Sequence, residues 1–394
     1  MTAAMQMLPP VTDAEYDARV ARARASMDKA GIGALLVTAE VNFRFLTGLV
    51  NQGWASPSRP RYFLLPLEGE PVAIVPTGTR IAMRDSWVRD VRCWIAPCPE
   101  DDGISLLRDA IRATGAKRIG AELGPETRLG FPVQDFDRLR ALLTPIEIVD
   151  GSPLLTAMRR VKSPAEIARI RFAARAVSAG FDALAERIHV GDTERTACRR
   201  LQIDLLERGL DRSPYMIAVS AAGGYETINT GPTDRVLQRG DLLIIDTGST
   251  CDGYFCDFDR NYSFGPPVAA AADAYQRVWN ATEAGLAVVR PGATASDVWR
   301  AMAEVLGGAE AAASANVGRM GHGLGLLLTE PPSIHPDDHT VLEAGMVITL
   351  EPGMGFVSPD GRRCVMVHEE NVAVTETGCD LLSVRARPQP YLVG

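Results

Sequence analysis

The sequence lacks a long hydrophobic run. No apolar segment approaches the ~18 residues that a membrane-spanning helix needs, so the chain is not expected to bind membranes. The first ten residues also lack the basic and apolar regions of a secretory signal peptide. These absences predict a cytoplasmic protein.

An excess of positive charge is also missing. The 394 residues include 41 lysines and arginines against 49 aspartates and glutamates, which gives a formal net charge of −8. Proteins that bind the phosphate backbone of nucleic acids carry basic stripes or patches. The sequence therefore predicts that nucleic acid is not a partner.

The seven cysteines form no recognisable disulfide or metal pattern. Their number is odd, and neither Cys93 with Cys98 nor Cys251 with Cys256 has Cys-x-x-Cys spacing. We expect reduced thiols, as in a reducing compartment. A reactive thiol at Cys251 or Cys256 is the alternative.

The chain is long enough for two domains. Up to about residue 155, short apolar strands alternate with helical segments, which is typical of an α/β domain. Ser163, Pro164 and Glu166 then form the signature of a capped helix start. Helices and strands follow in blocks, as in α+β domains. We predict domains at residues 1–158 and 159–394.

A hairpin in the second domain gathers three aspartates. Asp252-Gly253 is a strong two-residue turn signal between apolar strands, and this turn places Asp246 opposite Asp259. Residues two apart on a strand share a face, so Asp257 projects to the same side. Like charges on one face are costly without a counter-charge, which a divalent cation would supply. A solvent-facing acidic patch is the alternative.

Three later segments add the other donor types. They are a histidine between glycines at Gly321–Gly325, a carboxylate at the end of an apolar strand at Thr349–Gly353, and a pair of glutamates in a predicted strand at Met366–Val374. Each segment alone is compatible with an ordinary loop or surface. Combined with the aspartates, they favour a metal site.

Together these motifs resemble the pita-bread metallopeptidase family, which includes methionine aminopeptidase, aminopeptidase P, prolidase and creatinase. The matching segments occur in the family's order and are residues 245–257, 321–325, 345–353 and 369–378. Asn42–Gly48 also looks like a strand of the prolidase/creatinase amino-terminal domain. The resemblance covers nearly the whole chain. It implies an α+β pita-bread catalytic domain preceded by an α/β creatinase-like amino-terminal domain, in a homodimer.

The resemblance also implies a dinuclear metal site. Asp246 would chelate one ion, Asp257 and Glu369 would bridge, and His322 and Glu351 would complete the second ion. Four carboxylates would balance two divalent cations, which lower the pKa of bound water and polarise a carbonyl. The resemblance implies that Glu351 acts as the general base. Carboxylate and imidazole ligands suit manganese, iron, cobalt or zinc.

Two positions depart from the peptidase pattern. Asn229 stands where the family has a histidine shortly before the hairpin. Thr329 stands where prolidase-type and aminopeptidase P-type enzymes have a second histidine, seven residues after His322. Neither Asn nor Thr titrates near neutrality as His does. Both positions are nevertheless candidate catalytic residues.

Other side chains are expected near the metals. Tyr225 is a candidate substrate contact, with Tyr254 as a further one, and Asp259 and Glu330 are candidate bases if burial raises their pKa. An ion pair between Asp259 and Arg260, or another cation, is the alternative for Asp259. For Glu330 the alternative is an exposed loop position.

An amino-terminal loop places an aromatic residue among cations. In dimers of the family such a loop often reaches the partner's active site. Trp54 could then stack on a cationic substrate group, and Arg59 or Arg61 could bind a carboxylate. The alternative is an ordinary proline-rich connector.

The predicted function is hydrolysis of an Xaa-Pro-like amide bond in a small substrate, such as a dipeptide, by a dinuclear-metal enzyme of the prolidase/aminopeptidase P type. The alternative is a hydrolase or lyase of the same fold that acts on a small zwitterion such as ectoine, creatine or dimethylsulfoniopropionate. The absence of the two peptidase histidines at Asn229 and Thr329 favours this alternative.

Overall fold

The structure is a computed structural model that describes residues 8–314 and 318–394. These residues divide into two compact units, Pro10–Arg159 and Arg160–Gly394, with Leu8 and Pro9 belonging to the second. No helix in the described ranges is both long enough and apolar enough to cross a membrane.

The amino-terminal unit is built on one mixed six-stranded sheet. Its helices are α1 (Asp13–Ala30), α2 (Glu40–Thr47), α3 (Ile104–Ala113), α4 (Val133–Leu143) and α5 (Ser152–Arg160). Its strands are β1 (Ala34–Val37), β2 (Tyr62–Pro66), β3 (Val72–Pro76), β4 (Asp90–Trp94), β5 (Arg118–Ala121) and β6 (Glu147–Asp150). They are ordered β4-β3-β2-β1-β5-β6. Every side chain of β1, β2 and β3 is buried, so both faces of the sheet centre are covered.

The segment Asn42–Gly48, expected as a strand, is a helix. It forms most of α2, whose N-cap residue, Ala39, offers no side-chain cap. Glu122 supplies one: Oε2 accepts hydrogen bonds from the backbone N–H groups of Thr38 (2.7 Å) and Ala39 (2.8 Å), and Oε1 accepts one from Asn42 Nδ2 (2.6 Å). A carboxylate at a helix N-terminus is favoured by the helix dipole. The local sequence could not indicate this, because Glu122 lies 80 residues after Asn42.

We expect Glu122→Gln to loosen α2. An amide has one acceptor oxygen and no charge, and a buried donor left unsatisfied costs about 1–3 kcal/mol. Hydrogen exchange of peptides covering residues 40–47 should therefore speed up. The exposed Glu68 provides the matched control, Glu68→Gln, which should leave exchange unchanged. Equal protection in the two variants would contradict the capping role.

The carboxyl-terminal unit combines helices with two larger sheets and a short hairpin. Its helices are α6 (Pro164–Leu184), α7 (Glu194–Glu207), α8 (Ala269–Val288), α9 (Ala295–Leu306) and α10 (Ala309–Ala313). Its strands are β7 (Arg212–Ala222), β8 (Asp241–Cys251), β9 (Tyr254–Phe264), β10 (His322–Gly323), β11 (Glu330–Ser333), β12 (Val347–Leu350), β13 (Gly353–Val357), β14 (Arg363–Val367), β15 (Glu370–Val374), β16 (Cys379–Leu381) and β17 (Tyr391–Val393).

The two larger sheets meet where β9 contacts β15. One sheet has the order β17-β9-β8-β7, and the other has the order β11-β10-β12-β15-β16. Helices α6 and α7 pack on the first sheet, while α8 packs on β12 and on the β13–β14 hairpin. Apolar residues of α8, α9 and the strands form the core of this unit. The contact between the two sheets positions the candidate site.

Two of the predicted local features are present in this unit. Asp246 pairs with Asp259 across the β8–β9 hairpin, the register predicted from the Asp-Gly turn. The capping box is also present: Ser163 Oγ accepts from the Glu166 N–H (3.2 Å), and Glu166 Oε2 accepts from the Ser163 N–H (2.8 Å).

The strand expected over Met366–Val374 is interrupted. It forms β14 and β15, with His368 and Glu369 between them. The two pieces belong to different sheets, since β14 pairs with β13 and β15 pairs with β12. Glu369 therefore lies where the chain passes from one sheet to the other.

Candidate metal centre

The β8–β9 hairpin contributes three buried aspartates. Both strands are buried almost throughout, because apolar residues flank the aspartates on each strand. Asp246, Asp257 and Asp259 are 7%, 4% and 3% exposed. Asp246 and Asp259 face each other directly, and Asp257 is two residues before Asp259. The three carboxylates therefore share one face of the sheet, and burial excludes the solvent-facing acidic patch.

His322 approaches this face from β10. Glycines flank it where neighbouring backbone is close: a Cβ at residue 321 would lie 2.2 Å from the Thr349 carbonyl oxygen, and one at residue 323 would lie 2.4 Å from that of Pro331. His322 Nδ1 is 2.9 Å from the Gly323 carbonyl oxygen, so this nitrogen carries the donated proton. Nε2 is therefore left unprotonated and able to bind a metal, and it lies 3.5 Å from Asp257 Oδ2.

Glu369 completes a compact group of possible ligand atoms. One such atom each from Asp257, His322 and Glu369 lies within 4.8 Å of the other two. Arg260 holds the backbone at this point, because its guanidinium donates to the Glu369 carbonyl oxygen (3.0 Å) and to both oxygens of Glu370 (3.0 and 3.1 Å). Metal ligands are commonly oriented in this way by hydrogen bonds from surrounding residues.

Asp246 and Glu351 lie close enough to this group to interact with it electrostatically. Burial raises the pKa of Asp246 well above its usual value, and the negative charges of Asp257 and Glu351 add to that shift. Burial raises the pKa of Glu351 to about 7 and that of Asp257 to about 8. The pKa of Glu369 is also raised well above normal, first by burial and then by Glu351 and Asp257. The described protein groups around these carboxylates therefore do not offset the cost of ionising them together.

Three of these carboxylates also have an oxygen atom without a hydrogen-bond partner in the described structure. Asp246 Oδ1, Asp257 Oδ1 and Glu369 Oε1 are buried without a hydrogen-bond partner, and they are half of the six such side-chain atoms in the described ranges. Buried polar atoms are normally satisfied. Carboxylate oxygens beside an available imidazole nitrogen are the donor set of a divalent transition metal, so the residues fit a bound cation.

Several other predicted site residues have different environments from those expected. Tyr225 is fully buried and donates its hydroxyl to Asn261 Oδ1 (2.7 Å), which disfavours its interpretation as a substrate contact. The Tyr254 hydroxyl donates to Glu166 Oε1 (2.9 Å) at the start of α6. Asn229 is exposed. For the two tyrosines, contacts distant in the sequence decided the position.

Glu330 is neither an exposed loop residue nor an available base. Its Oε2 is 3.0 Å from Lys162 Nζ, and both side chains are 2% exposed. Its Oε1 accepts from the Leu327 N–H (3.3 Å). Because its carboxylate is held by Lys162 and by the Leu327 N–H, Glu330 fixes the segment after His322.

Asp259 and Thr329 lie nearer the centre. Burial raises the pKa of Asp259 well above normal, with Asp246 contributing. The expected ion pair with Arg260 is absent as a direct contact, because that guanidinium donates to the Asp259 carbonyl oxygen instead (2.7 Å). Thr329 Oγ1 accepts from Arg319 (3.3 Å). Both residues stay candidates for the chemistry of this site.

The amino-terminal loop residues lie in the other compact unit. The Arg61 guanidinium stacks 4.9 Å from the centre of the Trp54 ring, so a cation already occupies that aromatic face. Arg59 and Arg61 line a cavity of about 550 Å³ together with Asn51 and Thr77. A role for this loop in substrate binding stays a prediction.

The cysteines show no sign of catalytic activation. The described structure contains no disulfide. Cys251 and Cys256 are buried, and burial raises the pKa of the Cys256 thiol, which disfavours a thiolate. A reactive thiol in the hairpin is therefore disfavoured.

Sequence reasoning missed three residues around the centre. Asn371 Oδ1 accepts from the Asp257 N–H (3.0 Å), and its amide donates to the Asp257 carbonyl oxygen, which joins the two sheets at a ligand. The Tyr215 side chain hydrogen-bonds Asp246 and partly offsets its raised pKa. The positive charge of Arg319 lowers the pKa of His322, after burial. Only Arg319 had a sequence signal, a cation three residues before His322.

A buried centre of clustered carboxylates and one imidazole, on an α+β scaffold, defines a metalloenzyme. Residues 168–376 match the family described as Metallopeptidase family M24, and residues 19–161 match the Creatinase/Prolidase N-terminal domain. The chain belongs to metallopeptidase family M24 and is a metal-dependent hydrolase. The pita-bread fold and the family expected from the sequence motifs are confirmed.

Relatives match along almost the entire chain. The probable dipeptidase PepE of Mycobacterium tuberculosis is 29% identical over 384 residues, covering 97% of each chain. The Xaa-Pro dipeptidase of Pyrococcus horikoshii is 25% identical over 367 residues, covering 92% of this chain and 95% of its own. The crystal structure of dipeptidase PepE from Mycobacterium ulcerans has a TM-score of 0.81 at 26% identity, covering 97% and 99%.

Without metal, the protein should lose stability as the pH rises. The folded-state pKa of Asp257, about 8, lies above the ordinary value of ~3.9 for an unfolded chain. The folded state therefore binds the extra proton between these values. The free energy of unfolding falls as pH increases through this window, by at least about 1.4 kcal/mol, the equivalent of one pKa unit.

Denaturant unfolding of chelator-treated protein from pH 4 to pH 8 measures this slope. Asp257→Asn removes one of the titrating groups and should make the slope shallower. The exposed Asp273 gives the control Asp273→Asn, which should keep it. An unchanged slope in Asp257→Asn would show that this carboxyl does not carry the effect.

Metal uptake should depend on the central carboxylates. Asp257→Asn and Glu369→Gln each remove an anionic ligand from the group of Asp257, His322 and Glu369. We therefore expect each variant to bind fewer metal ions per chain. Elemental analysis after removal and reloading of metal measures the loss. Glu376→Gln, at an exposed position a few residues after Glu369, should bind as the unaltered chain does. Full uptake by both central variants would refute the metal centre.

Proposed function

We propose that this chain is a dinuclear-metal dipeptidase that cleaves Xaa-Pro-like amide bonds in small substrates. The observation that carries the proposal is the group of unpartnered buried carboxylate oxygens beside His322 Nε2. Similarity to the P. horikoshii Xaa-Pro dipeptidase over 92% of the chain supports the substrate class. The homodimer and the cytoplasmic location are kept as predictions.

The proposed ligands are Asp246, Asp257, His322, Glu351 and Glu369. Four ionised carboxylates carry the charge that two divalent cations would neutralise, and manganese, iron, cobalt and zinc all suit these donors. When bound, such ions polarise a carbonyl and lower the pKa of water. The raised carboxyl pKa values support this assignment, because burial of these groups is costly until a cation offsets it.

Glu351 is the proposed general base. It is partly exposed, unlike Asp257 and Glu369, so it can contact substrate and water at the centre. In the metal-free chain, burial raises the pKa of this carboxyl to about 7. Its role is to take a proton during attack on the amide and to deliver it to the departing nitrogen.

Thr329 and Asn229 take the positions of the two peptidase histidines. Thr329 is held by Arg319 beside the centre, and Asn229 is exposed on the connection between β7 and β8. Hydrogen bonding by these side chains can orient a substrate, but proton transfer is left to Glu351. The enzyme would then work with fewer titratable groups than a two-histidine peptidase.

We expect the metal-loaded chain to hydrolyse Xaa-Pro dipeptides and to lose this activity on chelation. Turnover should be measured for Xaa-Pro dipeptides, creatine, ectoine and dimethylsulfoniopropionate. Hydrolysis of the dipeptides supports the proposal. Turnover of a zwitterion without dipeptide cleavage would replace it with the alternative function.

Restoring the histidines tests the role of Glu351 further. Thr329→His with Asn229→His should raise dipeptide cleavage by up to ~10²–10⁴, the usual contribution of acid–base catalysis. Thr329→Val with Asn229→Ala is the matched pair that removes polarity without adding a titratable group. Equal rates in the unaltered and His-containing chains would show that proton transfer does not limit the reaction.

A further inference from the structure

Arg319 is a cation beside the metal centre, and it has no acidic partner among the residues that the structure describes. It is partly buried and lies three residues before His322. Its single hydrogen bond within residues 8–314 and 318–394 is from a guanidinium nitrogen to Thr329 Oγ1 (3.3 Å), and no described carboxylate pairs with it. A guanidinium has five N–H donors, so most of its donor capacity is available to a ligand.

The positive charge of Arg319 affects the ionisable groups of the metal centre. It acts on Asp257 and Glu351, where it counteracts the rise in pKa caused by burial, and on His322, whose pKa it lowers. In the absence of metal, the neighbouring carboxylates offset this positive charge. Two divalent cations would neutralise four carboxylates, and the charge of Arg319 would then be left for another anion.

Arg319 also faces open space. It lines a cavity of about 580 Å³ with Gly318, Ser333, His335, Asp337 and Asp338. Ser333 pairs with His322 between β10 and β11, so the cavity extends to the strand next to the candidate ligand.

The two aspartates of this cavity do not neutralise the arginine. Asp338 accepts hydrogen bonds from the backbone N–H groups of Ser333 (2.8 Å) and Thr340 (2.9 Å). The side chain of Asp337 is 90% exposed and lies 3.8 Å from His335. Arg319 is therefore the one permanent cation among the described lining residues.

We propose that Arg319, oriented by Thr329, binds the free carboxylate of the substrate and makes the enzyme selective for dipeptides over amidated or extended peptides. This inference rests on the proposed dipeptidase function. A guanidinium matches a carboxylate with two parallel hydrogen bonds. A peptide lacking a free carboxylate at that position would leave the charge unsatisfied, and the site would reject it.

The test compares glycyl-L-proline with glycyl-L-prolinamide on metal-loaded enzyme. The unaltered chain should prefer the acid. Arg319→Gln should raise KM for the acid by about 10- to 100-fold, the usual effect of a charge-assisted hydrogen-bonded pair, and change KM for the amide little. Arg319→Lys keeps the charge without the fork and should lie between. Arg300→Gln, at an exposed arginine of α9, is the matched control.

A different outcome would identify Arg319 as part of the metal centre. If Arg319→Gln loses metal by elemental analysis, or lowers kcat equally for acid and amide, the carboxylate-binding role is wrong. Arg319→Lys, if its preference for the acid equals that of the unaltered chain, would also contradict the two-bond geometry.

Failure of the proposed function gives a separate result. If the unaltered chain cleaves neither peptide, the dipeptidase function is wrong. Calorimetric binding of the same two peptides to the unaltered and Arg319→Gln proteins then decides the inference. A preference for the acid that Arg319→Gln removes supports carboxylate binding, and equal binding of acid and amide by the unaltered protein overturns it.

Discussion

The carboxyl-terminal unit is organised around buried negative charge. Asp246, Asp257 and Glu369 each have an oxygen that is shielded from water and has no hydrogen-bond partner. Burying a charged group without compensation is among the most costly arrangements in a protein. A bound cation would offset this cost and would bind tightly, because the oxygens are held in place before the ion arrives. The proposed catalytic role of the centre depends on this one constraint.

The surrounding structure keeps the carboxylates together despite their repulsion. Asn371 bonds both backbone polar groups of Asp257 across the contact between the two sheets. Arg260 bonds the Glu369 carbonyl and the Glu370 carboxylate, which are on the far side of the same contact. These neutral and charged hydrogen bonds lie next to the centre but leave its acceptor oxygens available. The surrounding hydrogen bonds therefore stabilise the site, while the candidate ligand oxygens are left to bind a cation.

The segment after His322 lies between the metal centre and Arg319, the proposed substrate-binding residue. The buried Lys162–Glu330 ion pair anchors its far end, and Thr329 beside it bonds Arg319. Replacement of a family histidine by Thr329 therefore has two consequences at one position. A titratable group is lost, and a hydroxyl is gained that orients a permanent cation. Both consequences agree with the proposed binding of a small charged substrate by hydrogen bonds.

The sequence by itself determined the local features. The Asp252-Gly253 turn and the alternation of strand residues were enough to predict that Asp246 faces Asp259. The capping box of Ser163 could be predicted for the same reason, because each pattern is complete within a few residues. The order of acidic and histidine motifs was sufficient to indicate the family and the fold.

Tertiary structure alone decided features that depend on distant partners. The Glu122 carboxylate accepts hydrogen bonds at the start of α2, where the sequence had indicated a strand. Lys162 forms a buried ion pair with Glu330, which the sequence had indicated as a candidate base. Tyr225 is directed into the core by Asn261. In each case the deciding contact joins residues tens of positions apart, and its free energy depends on burial. A linear sequence shows which groups are present, whereas only the folded chain decides which of them are desolvated together.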